Sequence, residues 1–487
     1  MAKVLFTHSY FHKFDNKQWK AKQPYPPLAT LYAASYMRMN GFEVSLFDTN
    51  LKSSTDEIIP ALDKYDPDYL VIYDDGFNYL TKMCLTNMRE AAFRLSELGK
   101  EKRCTIIVSS SDSTDHYELY LENGCDYVLL GEAELTLGEL ISNLDVNNTD
   151  LNHVPGLVYK NNYKTINTGK REILKKLDSL PMPAWDLVDI ESYKKIWVEN
   201  HGFFSLNIAT TRGCPFKCNW CAKPIYGNRY NSRSPQEVIN EIEYLIRNYQ
   251  VDHFWMCDDI FGLKPGWVQT FRDIVRDRKL LFRYKLQSRV DLLLQEDTID
   301  ALAESGADTV WVGAESGSQK ILNAMDKGTT IEQIYKATNL LKSKNIKTAF
   351  FLQFGYLGET KEDIRKTIDM LLDLMPDDVG ISVSYPLPGT LFYDKVKDEL
   401  KTKANWSDSD DLALMFRNNF SPRYYKKLHR YVHKIYRRKQ GFQSLLSIVK
   451  NPSSISKRRL RAAFASFYYI PITFLGSLQL RRLEKVS

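Results

Sequence analysis

Short, unbroken apolar runs alternate with helix-like segments along most of this chain, and that alternation constrains its fold more than any other feature. VLFT (residues 4–7), VSLF (44–47), YLVIY (69–73), TIIVS (105–109) and YVLL (127–130) each lack a polar alternation, and a segment of helical character follows each. Strands that are apolar on both faces belong in a parallel sheet covered by helices on both sides. Residues 1–145 are therefore expected to form a doubly wound α/β domain, with any ligand across the C-terminal ends of its strands.

A joining segment, residues 146–199, comes next. Lys160-Asn161-Asn162 lies between two β-like runs and predicts a hairpin, and LPMPAWD, with two prolines, predicts an extended connection. The alternation then resumes. LNIAT, HFWMC, YKLQS, TVWVG, TAFFLQF and DVGISVS are separated by helical patterns that begin near Pro235, Gly266, Glu296, Ser318 and Lys361. About six βα units make residues 200–396 a partial or complete parallel barrel, whose chemistry belongs at the strands' C-terminal ends. Residues 397–487 read as a basic, helical C-terminal region.

A chain of 487 residues exceeds one ordinary core, and 44% hydrophobic with 26% charged residues describes a globular protein. No basic stretch followed by a long apolar run opens the sequence, so a cytoplasmic protein is expected. Three of the seven cysteines fall within eight residues, which does not resemble a disulfide framework. Positive charge is concentrated at the C-terminus: residues 421–487 hold sixteen Lys or Arg against the single acid Glu484, leaving the rest net acidic.

The clustered cysteines lie in TTRGCPFKCNWCAKP, just past LNIAT. Cys214, Cys218 and Cys221 have the spacing Cys-x3-Cys-x2-Cys, which brings three thiolates to one small inorganic centre, and Gly213 and Pro215 let the backbone wrap it. Thiolates select zinc or iron-sulfur clusters. A structural zinc site takes four protein ligands, and no fourth stands nearby; Cys257 ends an apolar strand and reads as a buried structural thiol. Three thiolates on a four-iron cluster leave one iron open, as catalysis requires. A zinc knuckle is the competing reading.

With Trp220 in its aromatic position, the motif resembles Cys-x3-Cys-x-aromatic-Cys of the radical S-adenosylmethionine (SAM) enzymes. The resemblance implies a 4Fe-4S cluster whose open iron chelates the amino and carboxylate groups of SAM, and reductive cleavage of SAM to a 5′-deoxyadenosyl radical. It places SAM contacts at Trp220, at Asp258 in the Asp258-Asp259 pair after HFWMC, at Gln287 and Arg289, at Glu315 in Glu-Ser-Gly-Ser, at Gln353, and at Pro388 in YPLPGT, where adenine packs. The family's Gly-Gly-Glu variant is absent. Helix capping or salt bridging is the alternative for Asp258, Asp259 and Glu359.

The first domain, with PYPPLATLYAASY after its first strand and LLGEAELTLGELI after its fifth, resembles the cobalamin-binding domain of cobalamin-dependent radical SAM enzymes. That implies cobalamin contacts at Thr7, His8, Ser9, Asp74, Gly76, Ser109, Ser110, Ser111, Gly131 and Glu132. Asp-x-His-x-x-Gly, which supplies a histidine to cobalt in many cobalamin proteins, is missing, so cobalt without a histidine ligand is expected. A cofactor-free scaffold is the alternative for this domain.

Together the resemblances imply methyl transfer to an unactivated carbon, with cyclisation or rearrangement without methyl transfer as the alternative and a non-enzymatic iron-sulfur or zinc sensor as the reading from another class. The implied partners are a small-molecule or lipid-like substrate and an external electron donor such as flavodoxin or ferredoxin. At the C-terminus, FRNNFSPRYYKKLHRYVHKIYRRKQ mixes tyrosines with basic residues, and AAFASFYYIPITFLGSLQL is apolar but interrupted by Pro471. Peripheral contact with an anionic membrane is open, a membrane span is not expected, and nucleic acid is disfavoured as a partner.

Overall fold

The computed structural model describes residues 2–83, 85–223, 225–400, 405–451 and 456–484. Its first sheet has seven strands: β1 (Lys3–Thr7), β2 (Glu43–Leu46), β3 (Tyr69–Tyr73), β4 (Thr105–Ser109), β5 (Tyr127–Leu129), β6 (Leu157–Asn161) and β7 (Lys164–Asn167). They lie in the order β2-β1-β3-β4-β5-β6-β7, the first five parallel and β6 and β7 antiparallel. Alternate residues of these strands enter two separate cores. Val4, Phe6, Val71 and Ile107 pack on the side of helix Leu28–Met39, and Leu5, Leu70, Ile106 and Val108 on the side of helix Thr86–Glu101. That double burial is why these strands carry no polar alternation. The order reverses between β1 and β3, so the loops after these two strands flank the natural ligand crevice.

The predicted hairpin forms, with Asn162 and Tyr163 both in the left-handed region as a two-residue turn requires. It does not stand in a separate linker: β6 pairs with β5 and carries the sheet on to Asn167. Without it the three-residue β5 would be an open edge.

The second sheet contains β8 (Ser205–Ile208), β11 (His253–Met256), β12 (Arg283–Ser288), β13 (Ala307–Glu315), β14 (Lys347–Phe354) and β15 (Asp378–Val383). Between β8 and β11 the short strands β9 (Thr211–Arg212) and β10 (Asn231–Ser232) form a separate antiparallel pair. All six main strands are parallel and adjacent in chain order, and β15 does not pair with β8. The barrel is therefore partial, a curled half-barrel, and helices such as Pro235–Tyr249 and Lys361–Leu374 cover its outer face.

Beyond the barrel, residues 405–421 are irregular rather than helical as expected. Asp and Ser side chains there capture nearby backbone: Ser407 N donates to Asp411 at 3.0 Å and Asp410 N to Asp408 at 2.8 Å, which favours turns over helix. Two long helices, Pro422–Lys450 and Lys457–Glu484, follow as an antiparallel pair, with Gly441 against Ala462 and Arg438 donating to Thr473 Oγ1 at 2.6 Å.

Candidate functional site

The β9–β10 ladder closes the base of the loop that carries Cys214, Cys218 and Cys221, at the C-terminal end of β8. Gly213 opens the loop with φ +79, and a Cβ there would come within 2.3 Å of the Arg229 carbonyl, so no other residue fits. All three thiols are half-buried and unoxidised. Burial raises the Cys221 thiol to about 12, so its thiolate needs a compensating cation. Asn219 rivets the loop in place: its amide donates to the Ala324 carbonyl at 2.7 Å and to Asp326 at 2.8 Å, and its Oδ1 accepts from the Tyr356 hydroxyl at 2.7 Å.

Ends of the neighbouring strands surround this loop. Arg289, after β12, stands with Nη1 3.9 Å from Cys218 Sγ, its guanidinium 3.7 Å over the Phe216 ring. Asp291 takes both arms of its fork at 3.0 Å each, and the Lys327 carbonyl accepts at 2.7 Å. Glu315 closes β13 in the left-handed region, φ +56, and forms a buried ion pair with Lys327 at 2.8 Å. Lys327 has no place in any motif; only the fold brings it to Glu315.

Asp258 is fully buried. Its carboxylate accepts from Thr210 N at 2.6 Å, Thr211 N at 2.7 Å and Thr210 Oγ1 at 2.7 Å, so it clamps the strand leading into the cysteine loop. Burial lifts it to about 6 against those hydrogen bonds. Asp258 thus has the capping role, and neighbouring Asp259 pairs with Lys82 of the first domain at 2.5 Å. Gln287 donates to the Asp258 carbonyl at 2.5 Å, and Gln353 to Ser384 Oγ at 2.7 Å. Trp220 leaves its indole Nε1 buried without a hydrogen-bond partner, and Pro388 lies in the turn after β15.

On the first sheet, the connections after β1, β3 and β5 meet the barrel domain. A Cβ at Gly76 would lie 3.3 Å from Tyr226 Oη, and one at Gly131 3.4 Å from the Ile225 carbonyl, so both glycines allow close approach. Ser9 donates to Asp74 through N at 2.7 Å and Oγ at 2.8 Å. Ser109 ends β4, and Ser110 is engaged with Ser113 in a reciprocal helix cap. Thr7 Oγ1 and Ser111 Oγ are buried and unpartnered. The ring of His8 is held by the protein: Nε2 lies 2.9 Å from Asp48 and Nδ1 3.1 Å from Thr49 Oγ1. Glu132 accepts from Arg212 at 2.5 Å and from Leu174 N at 2.6 Å, and Glu134 takes the other Arg212 nitrogen at 2.7 Å.

Residues 19–141 match the B12 binding domain, and residues 208–371 match the radical SAM superfamily. The chain is a radical SAM enzyme with a B12-binding domain. It is 28% identical over 388 residues to an uncharacterized methyltransferase of Pyrococcus horikoshii, covering 78% of this chain and 81% of the relative. It is 24% identical over 416 residues to the anaerobic magnesium-protoporphyrin IX monomethyl ester cyclase of Rubrivivax gelatinosus, covering 82% and 71%. Its fold is that of the radical SAM methyltransferase TsrM from Kitasatospora setae, with a TM-score of 0.67 and 19% identity over 82% of this chain and 75% of that one. The cobalamin-dependent SAM radical enzyme OxsB gives 0.65 at 19% identity, over 76% and 52%. The cofactors that belong to the two domains are a 4Fe-4S cluster with SAM, and cobalamin.

The side chains fit these groups. Among the described residues, no three His, Cys, Asp or Glu converge on a point that would hold a single metal ion. A four-iron cluster takes one thiolate per iron, and three cysteines in one loop beside the cationic Arg289 suit it. In the B12-binding domain, the orphaned hydroxyls of Thr7 and Ser111 at the strand ends each forgo about 1–3 kcal/mol until a partner arrives.

Proposed function

We propose that this enzyme transfers a methyl group from SAM to a carbon of an apolar small molecule, with cobalamin as carrier. The contact that carries the reading is Arg212, two residues before Cys214, held by Glu132 and Glu134 of the B12-binding domain. It joins the cysteine loop directly to the ligand end of the first sheet. When bound, the cluster supplies the electron that opens the sulfonium bond of SAM, and cobalamin supplies the methyl group to be transferred.

The chain's own residues hold and tune these groups. Cys214, Cys218 and Cys221 give one thiolate to each of three irons. Arg289, immobilised by Asp291 and Phe216, sets a fixed positive charge beside Cys218 and so offsets the thiolates' negative charge. Glu315, steadied by Lys327, and the free indole N–H of Trp220 present polar atoms to SAM, with Gln353 and Pro388 at its adenine end. Thr7 and Ser111 hydrogen-bond cobalamin through their free hydroxyls. A one-electron donor of the flavodoxin or ferredoxin class balances the chemistry.

The substrate class is read from the concave face of the half-barrel. Trp311 and Phe351 stack there with ring centroids 4.6 Å apart, and Phe351, in mid-strand, is 38% exposed. A Cβ at Gly380 would press on both rings at 3.3–3.4 Å, so its glycine keeps this aromatic wall clear. An apolar or lipid-like molecule suits that wall.

Ring closure without methyl transfer is the second reading, prompted by the cyclase of Rubrivivax gelatinosus among the relatives. The test is anaerobic, reconstituted full chain with cobalamin, SAM and a chemical reductant. Formation of both S-adenosylhomocysteine and 5′-deoxyadenosine supports methyl transfer. Formation of 5′-deoxyadenosine alone favours ring closure, and neither product overturns both.

A further inference from the structure

In the second helix of the C-terminal pair, the residues facing inward and outward are the reverse of what water selects. Helix Lys457–Glu484 turns Ala463, Ser466, Thr473 and Gly476 toward its partner, with Ser466 and Thr473 at 0% and 2% exposure. It turns Phe464, Phe467, Tyr468, Phe474, Leu475 and Leu478 outward, with Phe464 and Phe474 at 73% and 64%. A water-soluble helix hides its large apolar side chains and shows its small polar ones. Small residues at the helix–helix contact and large apolar ones outside is the arrangement of helices packed in lipid. The contact is close: a Cβ at Gly441 would lie 2.4 Å from the Ala462 carbonyl, and one at Gly476 3.0 Å from the Tyr431 ring.

Charge tells what covers this stripe. Residues 462–480 contain no charged side chain, while Arg459, Arg461, Arg481 and Arg482 are exposed at its two ends. The uncharged stretch is about 28 Å long at the α-helical rise. Helix Pro422–Lys450, packed alongside, carries Lys434, Arg437, Arg438 and Lys439 in mid-length and cannot enter hydrocarbon. The pair therefore suits an orientation in the plane of the interface, with phenylalanines among the acyl chains and arginines at the level of the headgroups. A second copy of this chain is a poor cover, because two-fold pairing of such stripes sets arginine clusters against each other.

We propose that the C-terminal helix pair docks the enzyme on an anionic membrane surface through this outward stripe. The test is flotation of the full-length, cluster-loaded chain with phosphatidylcholine vesicles, with and without phosphatidylglycerol, at low and high salt. The chain is expected to float with phosphatidylglycerol vesicles and to float less at high salt, since surface attraction is screened. Phe464→Asp/Phe467→Asp/Phe474→Asp is expected to weaken partitioning about a hundredfold or more, since three exposed apolar anchors are lost. It should leave iron content and circular dichroism unchanged, because these side chains are more than half exposed and only the edge contact of Phe467 with Phe442, at 6.3 Å between ring centroids, is lost. Arg459→Gln/Arg461→Gln/Arg481→Gln/Arg482→Gln is expected to abolish the preference for phosphatidylglycerol. The proposal is overturned if wild type does not float, if the triple variant floats equally, or if light scattering shows a dimer that the triple variant breaks.

Discussion

Arg212 donates to Glu134 across 2.7 Å, and neither side chain reaches solvent. Burial opposes the guanidinium's charge, and Glu134, Tyr226 and Glu132 more than restore it, so Arg212 stays protonated. Tyr32, Phe77 and Tyr226 hold it at 5.2–5.6 Å from their ring centroids. Arg212→Gln would strand two buried carboxylates and is expected to cost about 3–5 kcal/mol, read as a lower urea midpoint. Iron per chain should fall with it, since the cysteine loop begins at the next residue. Changing Glu132 and Glu134 to Gln in the same protein should recover much of the stability.

Cysteines in the loop and in the strands should separate cleanly. Cys214→Ala, Cys218→Ala and Cys221→Ala are each expected to yield folded protein that has lost its iron and its iron-sulfur absorption. Cys257→Ala should keep both, because its thiol is buried at the end of β11 and is spent on the Ile208 carbonyl at 3.3 Å. Iron lost from Cys257→Ala, or retained in a loop variant, would remove the assignment of the three ligands.

The Glu315–Lys327 pair makes a different kind of prediction. Lys327→Met is expected to destabilise the protein by roughly 3–5 kcal/mol, because it leaves a buried carboxylate unpaired. Glu315→Gln/Lys327→Met removes that charge and should return most of the stability. If Glu315 contacts SAM, the double variant should still bind SAM about tenfold or more weakly, the worth of a charge-assisted hydrogen bond. Wild-type SAM affinity in a stable double variant would make the pair purely structural.

What could be read from the sequence follows from the range of the interactions. Strands β3 and β4 were legible to the residue because YLVIY and TIIVS are local patterns with both faces buried. Turn chemistry revealed the 162–163 hairpin, but only the open edge of β5 decides where it docks. Glu132 and Asp258 stand in the segments that suggested ligand contacts, yet their carboxylates meet Arg212 and Thr210, partners far away in the chain. Lys327 was missed because nothing around it marks a site; it matters only because the chain after β13 folds back over Glu315. The stripe from Phe464 to Leu478 was visible as an apolar run, but which of its residues face outward depends on the partner helix.

One separable part of the pH dependence of stability comes from Glu359. Its carboxyl is buried in the loop after β14, where burial raises it to about 8 despite a 2.7 Å hydrogen bond from Gly355 N. Its Oε1 has no partner, and the nearby Tyr425 hydroxyl has none either. In the unfolded chain a glutamate titrates near 4.3. Between that value and about 8 the folded state keeps a proton that the unfolded state has released. Stability from this group is therefore fully present below about pH 4 and falls as pH rises, by about 1.4 kcal/mol per unit, until the folded carboxyl ionises. Asp258, raised to about 6, adds to the same slope over a narrower window. Glu359→Gln removes only the Glu359 contribution, so the difference between wild type and variant isolates it. Urea unfolding at several values between about pH 5 and 8 is expected to show curves that diverge as pH rises, with the variant the more stable at the alkaline end. Parallel curves would mean that Glu359 is ionised in the folded protein throughout, with a partner on Oε1.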